Sequence, residues 1–178
     1  MAGASSLSAP TAVRRVVIAD ASPLIGLTRV GGLAWLNQLF GKVYLTPTVL
    51  REVLPGTHQR GEPEIQAALT AGWLEVWQEP IAPLPFDVGD LDAGESESIA
   101  LAFQLRPARS LLLIDERAGR AAATECGLLI IGTAAVIGRA KKAGLMDLAK
   151  PVLAKLLASD FRISAQLMKQ ILKDVGEA

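Results

Sequence analysis

Short, uninterrupted apolar runs alternate along the chain with longer stretches of helical spacing. Val16-Val17-Ile18-Ala19 is apolar throughout and stops at Asp20, as expected of a strand buried on both faces that breaks off at a polar residue. Ser22-Pro23 then offers an N-cap followed by proline at the first helical position. Leu24, Leu27, Leu33, Leu36 and Leu39 supply apolar spacing interrupted at Gly31-Gly32, which predicts one or two helices. Val43-Tyr44-Leu45 predicts a second strand. Thr46-Pro47 repeats the cap-and-proline signal before a helix from Thr48 to Leu54, ended by Pro55-Gly56.

Glu62 to Ala71 predicts a further helix closed by Gly72, and Leu74 to Trp77 an edge strand. The segment Glu79 to Val88, with Pro80, Pro83 and Pro85, predicts an irregular loop. Asp92 to Leu105 is strongly helical, Ser110 to Ile114 is an apolar strand ending in Asp115-Glu116, and Arg117 to Cys126 is a helix stopped by Gly127. Leu128 to Ile131 predicts another buried strand and Ala134 to Ala143 another helix. Asp147 to Leu157 and Ser164 to Val175 predict two amphipathic helices. Bare apolar strands separated by helices describe an α/β protein, a three-layer α/β/α sandwich around a central parallel sheet. In such sheets ligands bind outside the carboxyl ends of the strands.

Composition narrows the class. A chain of 178 residues with 51% hydrophobic residues is the size of one domain with a substantial core. Lys+Arg and Asp+Glu each total 18, a net charge of zero, which excludes a binder driven by bulk positive charge. Charges interrupt every apolar stretch before the roughly 18 residues a bilayer requires, so no membrane association is expected. Cys126 is the only cysteine and His58 the only histidine, so neither a disulfide framework nor a histidine cage is available. A cytoplasmic location fits this usage. Residues 1–14 read as a frayed tail rather than a signal peptide.

Chemistry is therefore expected of carboxylates. Asp20 closes the first strand and Asp115-Glu116 another, although Asp20 before Ser22-Pro23 equally suits a helix N-cap. Glu52 sits among Val49, Leu50, Val53 and Leu54, either as an inward acid or as a solvent-facing helix residue. In Gly94-Glu95-Ser96-Glu97, Glu95 shares the helix face of Ile99 and Ala102, while Glu97 lies about 200° around the helix; both acids also suit a helix dipole. Two carboxylates about 5 Å apart repel by roughly 3 kcal/mol at an effective dielectric near 20, so acids that converge call for a cation. Oxygen donors without His or Cys suit Mg²⁺ or Mn²⁺, ions that activate water at a phosphodiester.

Four ordered segments carry a resemblance. VVIADASPLIGL, LTPTVLREV, LDAGESESIALA and LLLIDERAGRAAATECGLLIIGT resemble the PIN domain, and more narrowly the PIN-like proteins related to VapC-type toxin ribonucleases, over Val16 to about Gly144. The final helices, with Phe161 to Ser164 (FRIS), resemble the same group. The resemblance implies residues 15–146 as a PIN-like nuclease domain and 147–178 as a C-terminal helical extension packed on it. It also implies Mg²⁺- or Mn²⁺-dependent endoribonuclease activity, with a role as the toxin of a toxin–antitoxin pair. By position, its acids match Asp20, Glu52, Glu95 (Glu97 the lesser candidate) and Asp115 or Glu116. Ser22 matches a small hydroxyl residue after the first acid. The third acid is Glu where many toxin members carry Asp.

Thr133 is a further hydroxyl at the end of the third buried strand, or else an N-cap. Arg117 and Arg120 offer positive charge beside Asp115 for RNA phosphates; Arg139, Lys141 and Lys142 form either a second basic rim or a solvated helix face. Trp35, Trp73 and Trp77 suit core packing rather than base stacking, and Cys126 a small buried residue. The resemblance and the amphipathic C-terminal helices imply a homodimer, with an antitoxin protein as a further partner. A non-catalytic PIN-like module acting through a protein partner is the alternative. A phosphotransfer domain with Asp20 as nucleophile fits less well, because Ser22 stands where such domains often place a second acid.

Overall fold

The computed structural model describes residues 15–159 and 161–177; the tail expected over residues 1–14 lies outside them. In chain order the strands are β1 (Val16–Ala19), β2 (Val43–Leu45), β3 (Leu74–Val76), β4 (Ser110–Leu113) and β5 (Ile130–Ile131). They pair in parallel in the order β3-β2-β1-β4-β5, with Ala19 opposite Leu113 and Ile18 opposite Tyr44. The chain thus builds outward from β1 on one side, then crosses to the other side to add β4 and β5. The order reverses between β1 and β4, where a crevice opens beyond the strand ends.

The helices are α1 (Ala21–Val30), α2 (Trp35–Phe40), α3 (Pro47–Val53), α4 (Glu62–Thr70), α5 (Ala93–Gln104), α6 (Arg117–Glu125), α7 (Thr133–Lys142), α8 (Ala149–Leu157) and α9 (Ala165–Asp174). Because side chains alternate across a strand, β1 feeds two cores. Val17 and Ala19 join Leu45, Leu113 and Ile131 against α1 to α4 and α7 to α9. Ile18 joins Leu112 and Ile114 against α5 and α6. The predicted three layers are therefore present. No helix among the described residues is long and apolar enough to cross a membrane.

The sequence reading differs from the structure at three places. Helix α1 begins at Ala21, so Asp20 rather than Ser22 holds the N-cap position. The strand expected over Leu128 to Ile131 is reduced to Ile130–Ile131: Gly127 is left-handed (φ 69°) and the Leu128 N–H returns to the Ala123 carbonyl at 3.0 Å, so Leu128 belongs to the end of α6. The helix expected from Asp147 begins at Ala149, where the Glu177 carboxylate accepts the Ala149 and Lys150 N–H groups at 2.8 and 2.9 Å.

The tryptophans pack as expected. Trp35 and Trp73 lie against the larger core, and Trp77 against the smaller, edge-on to Tyr44 at 5.3 Å. Cys126 is buried, which pushes its thiol pKa up and leaves it unreactive.

Candidate active site

Strand β1 ends directly in Asp20, whose N–H bonds the Leu113 carbonyl of β4 at 3.0 Å, so its side chain stands at the switch point. It is 2% exposed. Although it occupies the N-cap position, its side chain makes no cap bond, and Oδ1 is buried with no hydrogen-bond partner. Burial, more than any other cause, raises its pKa from 3.8 to about 7; the Ala21 N–H opposes this, while the charges of Asp92, Glu95 and Glu52 add to it.

Glu95 is the second buried acid, at 4% exposure. It stands in the first turn of α5, where a capping box holds it: Asp92 Oδ1 accepts the Glu95 N–H at 2.8 Å, and Glu95 Oε2 accepts the Asp92 N–H at 3.4 Å. That leaves Glu95 Oε1 buried and unpartnered. This oxygen lies so close to Gly119 of α6 that a Cβ there would come within 2.6 Å of it. Glycine at 119 thus makes room for the carboxylate. Burial raises the Glu95 pKa, and Asp92, Glu116 and Glu52 raise it further, against the Asp92 N–H.

Glu52 approaches from α3. Its carboxylate lies against Gly94, where a Cβ would meet its oxygens at 2.6 and 2.7 Å. The side chain is exposed. Its pKa is raised first by desolvation and then by Asp92. Glu116, at the N-cap of α6 and also exposed, adds its charge to those acting on Glu95.

Asp115 is close by but engaged. Its Oδ1 accepts the Thr133 N–H at 2.8 Å and its Oδ2 the Thr133 hydroxyl at 2.6 Å. Burial raises its pKa, against those two bonds and the nearby Arg120 charge. Thr133 is therefore neither a free hydroxyl nor an N-cap: Gly132 holds the cap position, and Thr133 ties the start of α7 to Asp115. Arg120 in turn donates to the Ile114 carbonyl at 2.9 Å.

Two further candidates are Glu97, whose charge raises the Glu52 pKa, and Ser22. Glu97 accepts the Thr48 N–H at 2.9 Å. Desolvation would raise its pKa, but the bonds from Thr46 and Thr48, helped by Arg51, bring it below the usual value. It locks α5 to the start of α3. Ser22, in the first turn of α1, makes no side-chain hydrogen bond among the described residues. Lys141 donates to the Asp147 carbonyl at 2.5 Å and sits 3.9 Å from Glu177. With Lys142 it is in the last turn of α7, roughly 12 Å along the axis from Thr133.

Asp92 is the acid that sequence reasoning missed. It stands among the charges acting on Asp20, Glu52 and Glu95. The spacing Asp92-x-x-Glu95, a capping-box signature, was the signal that could have found it.

Among the described residues, no three His, Cys, Asp or Glu side chains form a ready-made metal-binding group. The buried centre is a pair, Asp20 and Glu95, each with one orphaned oxygen, bordered by Glu52, Asp92, Glu116 and the tethered Asp115. An oxygen-only pair bordered by exposed acids fits Mg²⁺, which usually keeps several waters and takes one or two carboxylates.

A doubly wound parallel sheet with acids gathered outside the ends of β1 and β4 defines a small α/β class with an acidic crevice. A family model described as "DUF3368: PIN domain" matches residues 16–177, and the chain belongs to the PIN domain family, whose members are typically nucleases and generally bind divalent metals. Among solved structures it is similar to a PilT N-terminus domain protein from the hyperthermophilic archaeon Sulfolobus solfataricus P2. That likeness has 21% identity and a TM-score of 0.50, and covers 68% of this chain and 89% of the other; it supports the fold alone. No curated protein matches the chain.

Proposed function

We propose that this protein is a divalent-metal-dependent endoribonuclease, hydrolysing RNA phosphodiester bonds, and that it acts as the toxin of a toxin–antitoxin pair. The observation that carries the activity is the pair of orphaned carboxylate oxygens, Asp20 Oδ1 and Glu95 Oε1, both buried, with the Glu95 charge acting on Asp20. Two buried acids that each leave one oxygen without a donor are unfavourable unless a proton or a cation joins them. Asp20 and Glu95 would hold Mg²⁺ or Mn²⁺ directly, with Glu52, Glu116 and Asp115 as further carboxylates of the same crevice. When bound, such an ion supplies an activated water and stabilises the oxygens of the scissile phosphate.

The remaining residues orient and bind. The capping box fixes Glu95, and the Thr133 bonds fix Asp115. Arg117, exposed beside Glu116, would meet substrate phosphates. The toxin role rests on the family resemblance; the exposed Leu148, Leu157 and Leu167 near the C-terminus supply apolar surface for a second copy or an antitoxin segment.

The test is cleavage of a fluorophore-quencher RNA with Mn²⁺, Mg²⁺ or EDTA. Cleavage by wild type that requires metal and disappears in Asp20→Asn is expected. Equal rates for the two proteins, or cleavage that persists in EDTA, would refute the proposal.

A further inference from the structure

Residues 161–164 form a strap between α8 and α9, and their alternation divides them between core and crevice. Phe161 and Ile163 pack on the larger core. The Phe161 ring lies against Gly26 of α1 so closely that a Cβ there would come within 2.7 Å of it. Ser164 ends the strap by accepting the Leu167 N–H at 3.1 Å as the N-cap of α9. Arg162 points the other way and is exposed.

It lines two clefts that share Asp115. One, of about 530 Å³, also holds Glu116, Arg117 and Phe161. The other, of about 270 Å³, runs beneath Asp115 along α7. Among the described residues, Arg162 and Arg117 each make neither a hydrogen bond nor an ion pair, although Asp115 and Glu116 line the same cleft. Arg120, by contrast, is committed to the Ile114 carbonyl. Two uncommitted guanidiniums thus face a cleft bordered by Asp115 and Glu116, the latter acting on Glu95.

We propose that Arg162, with Arg117, forms a phosphate subsite that holds the RNA strand on the α6 side of Asp20 and Glu95. The inference rests on the ribonuclease reading and adds to it a substrate-binding role for the C-terminal strap. A guanidinium presents a planar fork matched to phosphate oxygens, and the packing of Phe161 and Ile163 limits how far Arg162 can move.

The experiment measures anisotropy of a fluorescein-labelled single-stranded RNA 12-mer in Mg²⁺, with Asp20→Asn as the parent so that the probe survives. Adding Arg162→Ala is expected to weaken binding roughly tenfold and to lower the salt slope by about 0.7. Arg162→Lys should recover part of the loss. Arg109→Ala removes the same charge at the opposite end of β4 and should change neither quantity. In the otherwise wild-type enzyme, Arg162→Ala should raise KM more than it lowers kcat. If RNA is bound and cleaved but Arg162→Ala behaves like Arg109→Ala, the subsite falls while the ribonuclease reading stands. If wild type does not cleave and the parent does not bind, both fall. Arg162→Gln, which keeps most of the stem, supplies the comparison should the alanine variant fold poorly.

Discussion

Asp20 is held at 2% exposure with Oδ1 unpartnered, and burial lifts its pKa from 3.8 to about 7. Between those values the folded state keeps a proton that the unfolded chain releases, so stability of the metal-free protein falls as pH rises from about 4 to about 7 and then levels off. The pKa difference sets this loss on the order of 4 kcal/mol. Asp20→Asn removes the titrating group. In EDTA, it should be more stable than wild type at pH 8 and show a smaller decline than wild type between pH 5 and pH 8 in urea unfolding. Identical pH profiles for the two proteins would contradict the placement of Asp20 in a desolvated pocket. Function and stability thus pull in opposite directions at one residue: the change that raises stability removes the proposed metal ligand.

Helix α5 shows how one element does two jobs. Its first turn is capped by Asp92 and Glu95 together, and the same Glu95 leaves its second oxygen buried and unpartnered against Gly119. Asp92→Ala should lose about 1 kcal/mol with the cap. Asp92→Asn retains a capping oxygen and should leave thermal stability nearly unchanged, while removing a negative charge that holds the Asp20, Glu52 and Glu95 pKa values up. Carboxyl-carbon NMR titration should then show the Asp20 pKa falling below its wild-type value in Asp92→Asn; an unchanged titration would separate Asp92 from the cluster.

This is also the scale at which the sequence was readable. Val16 to Ala19 and Leu111 to Ile114 are apolar without a break because both sheet faces are covered, so strands and layers were plain from pattern alone, and Asp20 and Asp115 stood out as the residues that ended them. What pattern could not convey was hydrogen bonding between distant residues. Asp115 is an acid at a strand end, yet Thr133, far along the chain, engages both its oxygens. Glu97 differs from Glu95 by two positions, but only the fold shows that Thr46 and Thr48 occupy it. Asp92 was read as the start of a helix and not as an acid. Leu128 is apolar like its neighbours, and the left-handed Gly127 takes it out of the strand.

At the scale of the molecule, zero net charge conceals a division. The reversal of strand order brings the N-terminal ends of α1, α5, α6 and α7 around the same crevice, and their partial positive charge favours the acids gathered there. Arg117 and Arg162 stand on its flank, so attraction for a polyanion is local rather than a property of the whole surface. The C-terminal helices belong to this arrangement: α8 and α9 pack on α7, and the strap between them sets Arg162 over the crevice. The family match through residue 177 includes them.

The central claim is that Asp20 and Glu95, from β1 and α5, jointly hold one divalent ion. Titration of Mn²⁺ into the full chain, followed by electron paramagnetic resonance of the free ion, tests it most directly. The account predicts saturable binding by wild type, and its loss in both Asp20→Asn and Glu95→Gln with folding retained. Mn²⁺ bound as tightly by the two variants as by wild type would contradict it.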